Sequence, residues 1–540
     1  MPTSVHNKEY LKMLIGAELG DKELEKQLDK LGMSVERQSN DSIEVEFQAN
    51  RPDLISTTGL ARAIRYSIGR KKSFDYKAKG DSSLQMHVGS KTAKFREYVA
   101  GMLVKNVKLT DEAMLDLINF TDKLAETYGR HRKRIAIGLH DMRNVQAPIY
   151  YDMYGDEEFE ALGGKRQKYS EILSSSEKGK AYAELCAHNG RYCVLKDSKG
   201  AMALIPVINA ERTRISASTS EMFVDITGTN EYAVDETANI VAANFIDMGF
   251  DVYTVAVVQH GRKTRKTPTL KRRQIEVELE KFSEEIGVRL AFNNVISLAN
   301  RMGIEAALHG RKIAFFVPAY RSDIINDQDI IEDIAVAYGY DYIQPIPVIS
   351  VAEGRLDEQE QKNEELRSIM TGLGFFELLS SYMTNEETNF SKMRQGESGP
   401  YVKIRNAKAS TITMLRTWLL PSLLASLSRS QHDKLPHKLF ELDMVFGIKN
   451  GAPAENYHIA CVISNTEVDM NDMQGIAETL AKALSATLEI KPAENRAFIE
   501  GRCGSLMLNG KPAGIMGELH PEVLVNFGIE APAVALELEL

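Results

Sequence analysis

Apolar and polar residues alternate along this chain with two periods, and the switches between them outline its elements. DKELEKQLDKLGMSVE predicts a short amphipathic helix ending at Gly32, and DSIEVEFQAN alternates like a strand. RPDLISTTGLARAIRYSIG opens with Pro52 near a helix start and carries Leu60, Ala63, Ile64 and Ile68 on one face. Further on, YVAGMLVKNVKL, KRIAIGLHD, ALIPVIN, MFVDITG and VYTVAVVQ read as strands. AVDETANIVAANFIDMG reads as a helix that Gly249 stops. A third group has strands IEVEL and KIAFFVPAY around the helix NVISLANRMG. The last begins with the helix EELRSIMTGLG, ending at Gly372 or Gly374. It continues through KLFELDMVFG, GRCGSLMLNGKPAGIMGEL and AVALELEL. Strands and helices mix without a strict βαβ rhythm, so the class is α+β in several domains. The breaks predict units over residues 1–80, 90–260, 270–346 and 355–540.

Length and composition agree with that division. A chain of 540 residues exceeds one core and suggests about three or four domains. With 43% hydrophobic and 26% charged residues it has an ordinary globular make-up. No apolar run approaches the roughly 20 residues of a membrane helix. The N-terminus lacks the basic-then-apolar layout of a signal peptide, so a cytoplasmic location is expected. Four cysteines are too few for a disulfide framework; Cys186, His188 and Cys193 lie close together but lack a fourth ligand and the CxxC spacing of a zinc site. The net charge of −9 argues against a general nucleic-acid coat. One basic stretch, GRKTRKTPTLKRR at 261–273, reads as a linker, either solvated or contacting phosphate.

Candidate chemistry is sparse. The GxxxxGK(S/T), HExxH, GxSxG and GxGxxG signatures of common catalytic sites are absent from the sequence. Residues 321–340, RSDIINDQDIIEDIAVAYGY, crowd carboxylates ahead of an apolar run. On a helix Asp329, Glu332 and Asp333 share a face while Ile330, Ile331, Ile334 and Tyr338 pack inward. Two readings stand: a helix start whose dipole favours anions, or a divalent-cation site that Asp323 completes from outside the helix. In MFVDITG, Asp225 shares a strand face with Phe223 and Thr227. Such a carboxylate sits at an exposed edge or lines a pocket, and the residue pattern favours the edge.

These stretches also carry a resemblance. RSDIINDQDIIEDIAVAYGYDYIQP, NRPDLISTTGLARAIR, KRIAIGLHD, PVINAERTRISASTSEMFVDITGT, MLRTWLLPSLL and GELHPEVLVNFGI resemble motifs of phenylalanine–tRNA ligase beta subunits of the archaeal and eukaryotic type. The resemblance implies an editing module that hydrolyses tyrosyl-tRNA, a small metal-binding α/β domain and a C-terminal class II synthetase-like antiparallel-sheet domain. It also implies a heterotetramer of two alpha and two beta subunits that attaches phenylalanine to its tRNA, with ATP bound mainly by alpha. Mg²⁺ would be held by Asp323, Asp329, Glu332 and Asp333. Asp225, and more weakly Asn209, would serve the editing pocket. KLFELD has no arginine of the kind class II enzymes use on ATP, so the last unit is expected to assemble rather than catalyse. The sequence departs from the family's pattern at IND (325–327), where His-Pro is usual, at Ala49, where Pro is common, and at Trp418, where a small residue is usual. Read from the residues alone, a stand-alone Mg-dependent hydrolase and a non-catalytic scaffold are the alternatives.

Overall fold

The computed structural model describes residues 2–259, 261–348, 352–396, 400–407, 409, 411–430 and 433–540. The chain divides into two bodies, Met1–Pro347 and Val348–Leu540.

The first body opens with a three-stranded antiparallel sheet in which Ser42–Glu46 lies between Thr3–Asn7 and Ser34–Gln38. Helices Lys8–Ile15, Asp21–Lys30 and Thr57–Ser67 accompany it. Pro52 does not start the last of these. It heads a separate 3-10 turn, and Ser56 caps the helix by accepting from the Gly59 N–H at 2.9 Å. That assigns the missing first-turn acceptor to a hydroxyl, which Pro52, four residues earlier, cannot supply.

The centre of this body is an 11-stranded sheet. One end of it runs Asp251–Gln259, Tyr98–Lys105, Glu221–Gly228 and Ile135–Asp141, the last being an edge strand. At the other end ALIPVIN is not one strand. It breaks into Gly200–Leu204 and Ile208–Asn209, which fold back and pair with Ala203 opposite Asn209. Helix Glu231–Asp247 lies against Tyr98–Lys105 and Glu221–Gly228. It buries Ile240, Val241 and Phe245 completely, each contributing about 1.5–3 kcal/mol. The basic stretch at 261–273 is not a free linker. Arg265–Thr267 adds a short strand to Asp251–Gln259, and four of the stretch's seven cations pair with carboxylates: Arg265 with Asp235 at 2.8 Å, Arg262 with Glu97, Lys266 with Asp81 and Arg272 with Glu305. Sequence periodicity carries no sign of those partners, which are far away along the chain.

A small three-stranded sheet follows, with Lys312–Val317 between Arg273–Glu278 and Glu305–His309. Helices Leu279–Ile286, Phe292–Arg301 and Asp327–Tyr338 share its core through Phe282, Leu298 and Ile334.

The second body is built on a seven-stranded sheet covered on both faces. All its pairings are antiparallel except Phe376–Glu377 with His437–Lys449. Period-two alternation sends Ala460 and Val462 to one core, with helix Leu420–Ser430. Ile459 and Cys461 go to the other, with helices Glu358–Gly372 and Met470–Ala483. Across the whole chain, no helix among the described residues is long and apolar enough to cross a membrane.

Candidate functional site

Asp225 is fully buried, and the edge placement favoured by its strand pattern is wrong. Glu221–Gly228 is the second strand from the edge, flanked by Tyr98–Lys105 and Ile135–Asp141. The register sets Asp225 opposite Gly101 on one side and Gly138 on the other. With no side chain on either neighbour, the carboxylate has room to stand on that face of the sheet. The fit is close: a Cβ on Gly138 would lie 2.2 Å from Asp225 Oδ1.

One carboxylate oxygen is answered. His140 Nε2 lies 2.9 Å from Asp225 Oδ1, and His140 Nδ1 lies 3.0 Å from Thr213 Oγ1. Thr213 donates its own hydrogen to the Ala210 carbonyl at 3.2 Å, so the His140 ring bridges a hydroxyl and a carboxylate. The other oxygen, Asp225 Oδ2, is buried without a hydrogen-bond partner. A cavity of about 680 Å³ borders Asp225, Gly138, Leu139, Pro206 and Asn209. An unpaired carboxylate oxygen is costly in such surroundings, and a hydroxyl donor from a ligand would meet its need. Asn209, half-buried, borders the same space but spends its Nδ2 on the Leu139 carbonyl at 3.2 Å.

The two residues that the resemblance assigns to a pocket, Asp225 and Asn209, both border this cavity, while sequence reasoning missed His140, Thr213 and Gly138. The available signal was that GLHD and FVDIT each carry a polar residue amid apolar ones, as paired inward-facing strands would.

The acidic segment divides differently from its helical wheel. Asp329 is a helix cap: its Oδ2 accepts from the Ile325 and Asn326 N–H groups at 2.6 and 2.9 Å. Asp333 is buried with the isoleucines, and Glu332 is exposed, so the three acids do not share one outward face. Asp327, outside the expected set, pairs with Lys281. Arg321 binds Asp323 at 2.7 Å and lies 2.8 Å from Asp333. Burial pushes the Asp333 carboxyl up, with Arg321 only partly offsetting it. Burial acts the same way on Asp323, but Arg321 and Arg51 outweigh it and hold that carboxyl low.

Asp323, Glu332 and Asp333, but not Asp329, border a small cavity of about 40 Å³ beside Gln48 and Asn50. The oxygen donors suit a hard divalent cation. In this conformation, however, no three His, Cys, Asp or Glu side chains among the described residues converge enough to hold one ion, and Arg321 lies against Asp323 and Asp333. Of the cysteine–histidine trio, Cys186 and Cys193 are buried thiols, and exposed His188 stacks on Phe95.

Family profiles described as the B3/4 domain and the tRNA synthetase B5 domain match residues 103–244 and 275–340, which sets the chain among tRNA synthetase proteins. A third, the phenylalanyl tRNA synthetase beta chain CLM domain, matches 344–540. The chain is 33% identical over 546 residues to the phenylalanine–tRNA ligase beta subunit of Archaeoglobus fulgidus, covering all of this chain and 98% of the relative. It is likewise 33% identical to that of Methanocaldococcus jannaschii, with all of both chains covered. An N-terminal fragment of the phenylalanyl-tRNA synthetase beta subunit from Pyrococcus horikoshii superposes with a TM-score of 0.61 at 30% identity, covering 63% of this chain and all of the fragment. The chain belongs to the phenylalanine–tRNA ligase beta subunit family.

Proposed function

We propose that this chain works with an alpha subunit to make phenylalanyl-tRNA, and that its 680 Å³ cavity hydrolyses tyrosine attached to that tRNA in error. Membership of the family supports the first part. The second rests on one observation: Asp225 Oδ2 is a buried acceptor without a donor at the cavity wall. Phenylalanine and tyrosine differ by one hydroxyl, and a steric pocket for the smaller ring rejects the larger imperfectly. A second site that bonds the hydroxyl corrects the error. The tyrosyl ring would enter among Ile137, Leu139 and Val207, and its phenol would donate to Oδ2. His140 would hold Oδ1 and keep the carboxylate from turning away. Water then adds to the ester carbonyl and the bond to the terminal ribose oxygen breaks, returning free tyrosine and tRNA. Within this scheme His140 and Thr213 are positioning residues.

Asp225→Ala removes a charge-assisted bond of about 1.5–3 kcal/mol, which corresponds to a loss of roughly 10- to 100-fold in tyrosyl-tRNA deacylation. Phenylalanylation by the complex should stay nearly intact. Equal deacylation rates for wild type and variant would leave Asp225 without this role.

Two assignments accompany this reading. Asp323, Glu332 and Asp333, joined by Asp329 if its cap opens, would hold Mg²⁺, which would neutralise them and brace the helix start. The second body would be a class II synthetase-like domain without the chemistry, in a complex of two alpha and two beta subunits where alpha binds ATP.

A further inference from the structure

Arg96 is 1% exposed, and its guanidinium makes four hydrogen bonds, all to uncharged acceptors. Nε donates to Thr227 Oγ1 at 3.0 Å and Nη2 to the Thr227 carbonyl at 2.7 Å. Nη1 donates to the Arg132 and Lys133 carbonyls at 2.9 and 3.4 Å. Those carbonyls belong to a turn in which Arg130, His131 and Arg132 are left-handed, with φ of 50, 53 and 60°, a conformation that residues other than glycine seldom hold. Arginine stays protonated inside proteins, so these bonds orient the charge without cancelling it. Among the described residues no carboxylate lies within ion-pair distance of Arg96.

An isolated buried ion is very unfavourable, so the balancing charge lies further off. The acidic groups whose fields reach Arg96 are Tyr151 from Ile149–Tyr154, Cys193 from Arg191–Asp197, Asp225 from Glu221–Gly228, and Cys186. Burial raises the Tyr151 hydroxyl well above 10 and both thiols above their ordinary range, Cys193 to about 11. These three are neutral near pH 7. Asp225 remains. It shares a strand face with Thr227, two residues and about 7 Å further on, and its Oδ2 has no hydrogen-bond partner. Its Oδ1 lies against His140, and an imidazole, unlike a guanidinium, is not a permanent cation. The two residues have complementary needs: a buried cation without an anion, and a buried carboxylate without a permanent cation.

We propose that Arg96 is a positioning residue for the cavity: a permanent cation that touches no ligand and, set along the strand by Thr227, holds Asp225 as a buried carboxylate. For its effect on hydrolysis this rests on the reading above; the charge coupling rests on the burial and bonding of the two residues alone. Arg96 does not border the cavity. It acts on the acceptor there, because a carboxylate bonds a hydroxyl more strongly than a neutral acid does. The competing role is a brace between strand and turn, which requires the four hydrogen bonds and not the charge.

The test compares Arg96→Gln, Asp225→Asn and the double variant of the full chain. Each single variant leaves one buried charge unbalanced and should lower the melting temperature by roughly 5 °C or more. The double variant removes both charges and should melt above Arg96→Gln. A brace gives additive losses with the double variant lowest, because the bonds to the carbonyls do not depend on Asp225; that result overturns the proposal. If a single variant fails to fold, a folded double variant supports the coupling and an unfolded one overturns it. Deacylation of tyrosyl-tRNA is the second readout. Arg96→Gln should lose roughly tenfold, within the loss expected for Asp225→Ala. Arg96→Lys, which restores the charge but not the planar fork, should recover a large part of that rate, and an equal loss in both overturns the charge role. If wild type deacylates nothing, the hydrolytic reading fails and the melting comparison still decides the coupling.

Discussion

Asp225 tolerates burial because His140 answers one of its oxygens and two glycines leave it room. Crowding that slot has a definite consequence. In Gly138→Ala the new methyl would lie 2.2 Å from Asp225 Oδ1 and 3.0 Å from His140 Nε2. It should displace the pair, cost about 1–3 kcal/mol of stability by overpacking, and reduce tyrosyl-tRNA deacylation as much as removing Asp225 does. Melting and deacylation of the purified variant check both. His6 offers a separate test. Burial lowers its pKa from 6.5 to about 4, with Ser4 and Thr57 hydroxyls against its ring at 2.6 and 2.9 Å. Between those values the unfolded chain binds a proton that the folded chain refuses. Stability should therefore fall as pH drops from about 6.5 to 4, by up to about 3 kcal/mol for this group. Denaturant midpoints of wild type and His6→Gln across that range should converge toward acid; parallel curves would exclude His6 as the cause. The strand pattern in the sequence disclosed which face Asp225 occupies. It could not disclose that glycines stand opposite or that a histidine 85 residues earlier is its partner, because register and long-range pairing have no local signature.

At the level of elements, regular periodicity was legible and the ends were not. The helix over Asp327–Tyr338 was readable from its isoleucines, whereas the roles of its acids depend on groups that periodicity ignores: backbone N–H groups for Asp329, and Arg321 for Asp333 and Asp323. Mg²⁺, if held here as proposed, would therefore compete with Arg321 for the same carboxylates. Glu332, exposed and without an ion-pair partner among the described residues, is the acid freest to favour the metal. Glu332→Gln should lower bound Mg²⁺ by elemental analysis and remove any rise in melting temperature on adding Mg²⁺. Equal metal content in both proteins would return the segment to a capped, arginine-braced helix start. The basic stretch 261–273 teaches the same lesson from the other side: its cations looked available in sequence and are mostly consumed by acids on other elements.

At the scale of the whole chain, the strand-like alternation in AVALELEL and KLFELD was legible, and the sheet that joins them was not, since their pairing partners lie far apart in sequence. Glu441 illustrates what the second body does with a buried charge. It is sealed against Arg416 at 2.5 Å and accepts from the Ser380 hydroxyl at 2.7 Å, so it is turned to internal bonding and away from any ligand. The chain by itself should accordingly show no phenylalanine-dependent ATP–pyrophosphate exchange, and exchange by alpha-free material would contradict that. In the first body, the distance along the chain between His140 and Asp225 has a consequence for the chain as it is being made. The histidine leaves the ribosome 85 residues ahead of the aspartate, and the strand that carries Asp225 must insert beside an edge strand already waiting for it. Until then neither the acceptor nor this part of the cavity wall is in place. If the proposed hydrolysis holds, a nascent chain would thus be inert toward aminoacyl esters until that strand docks.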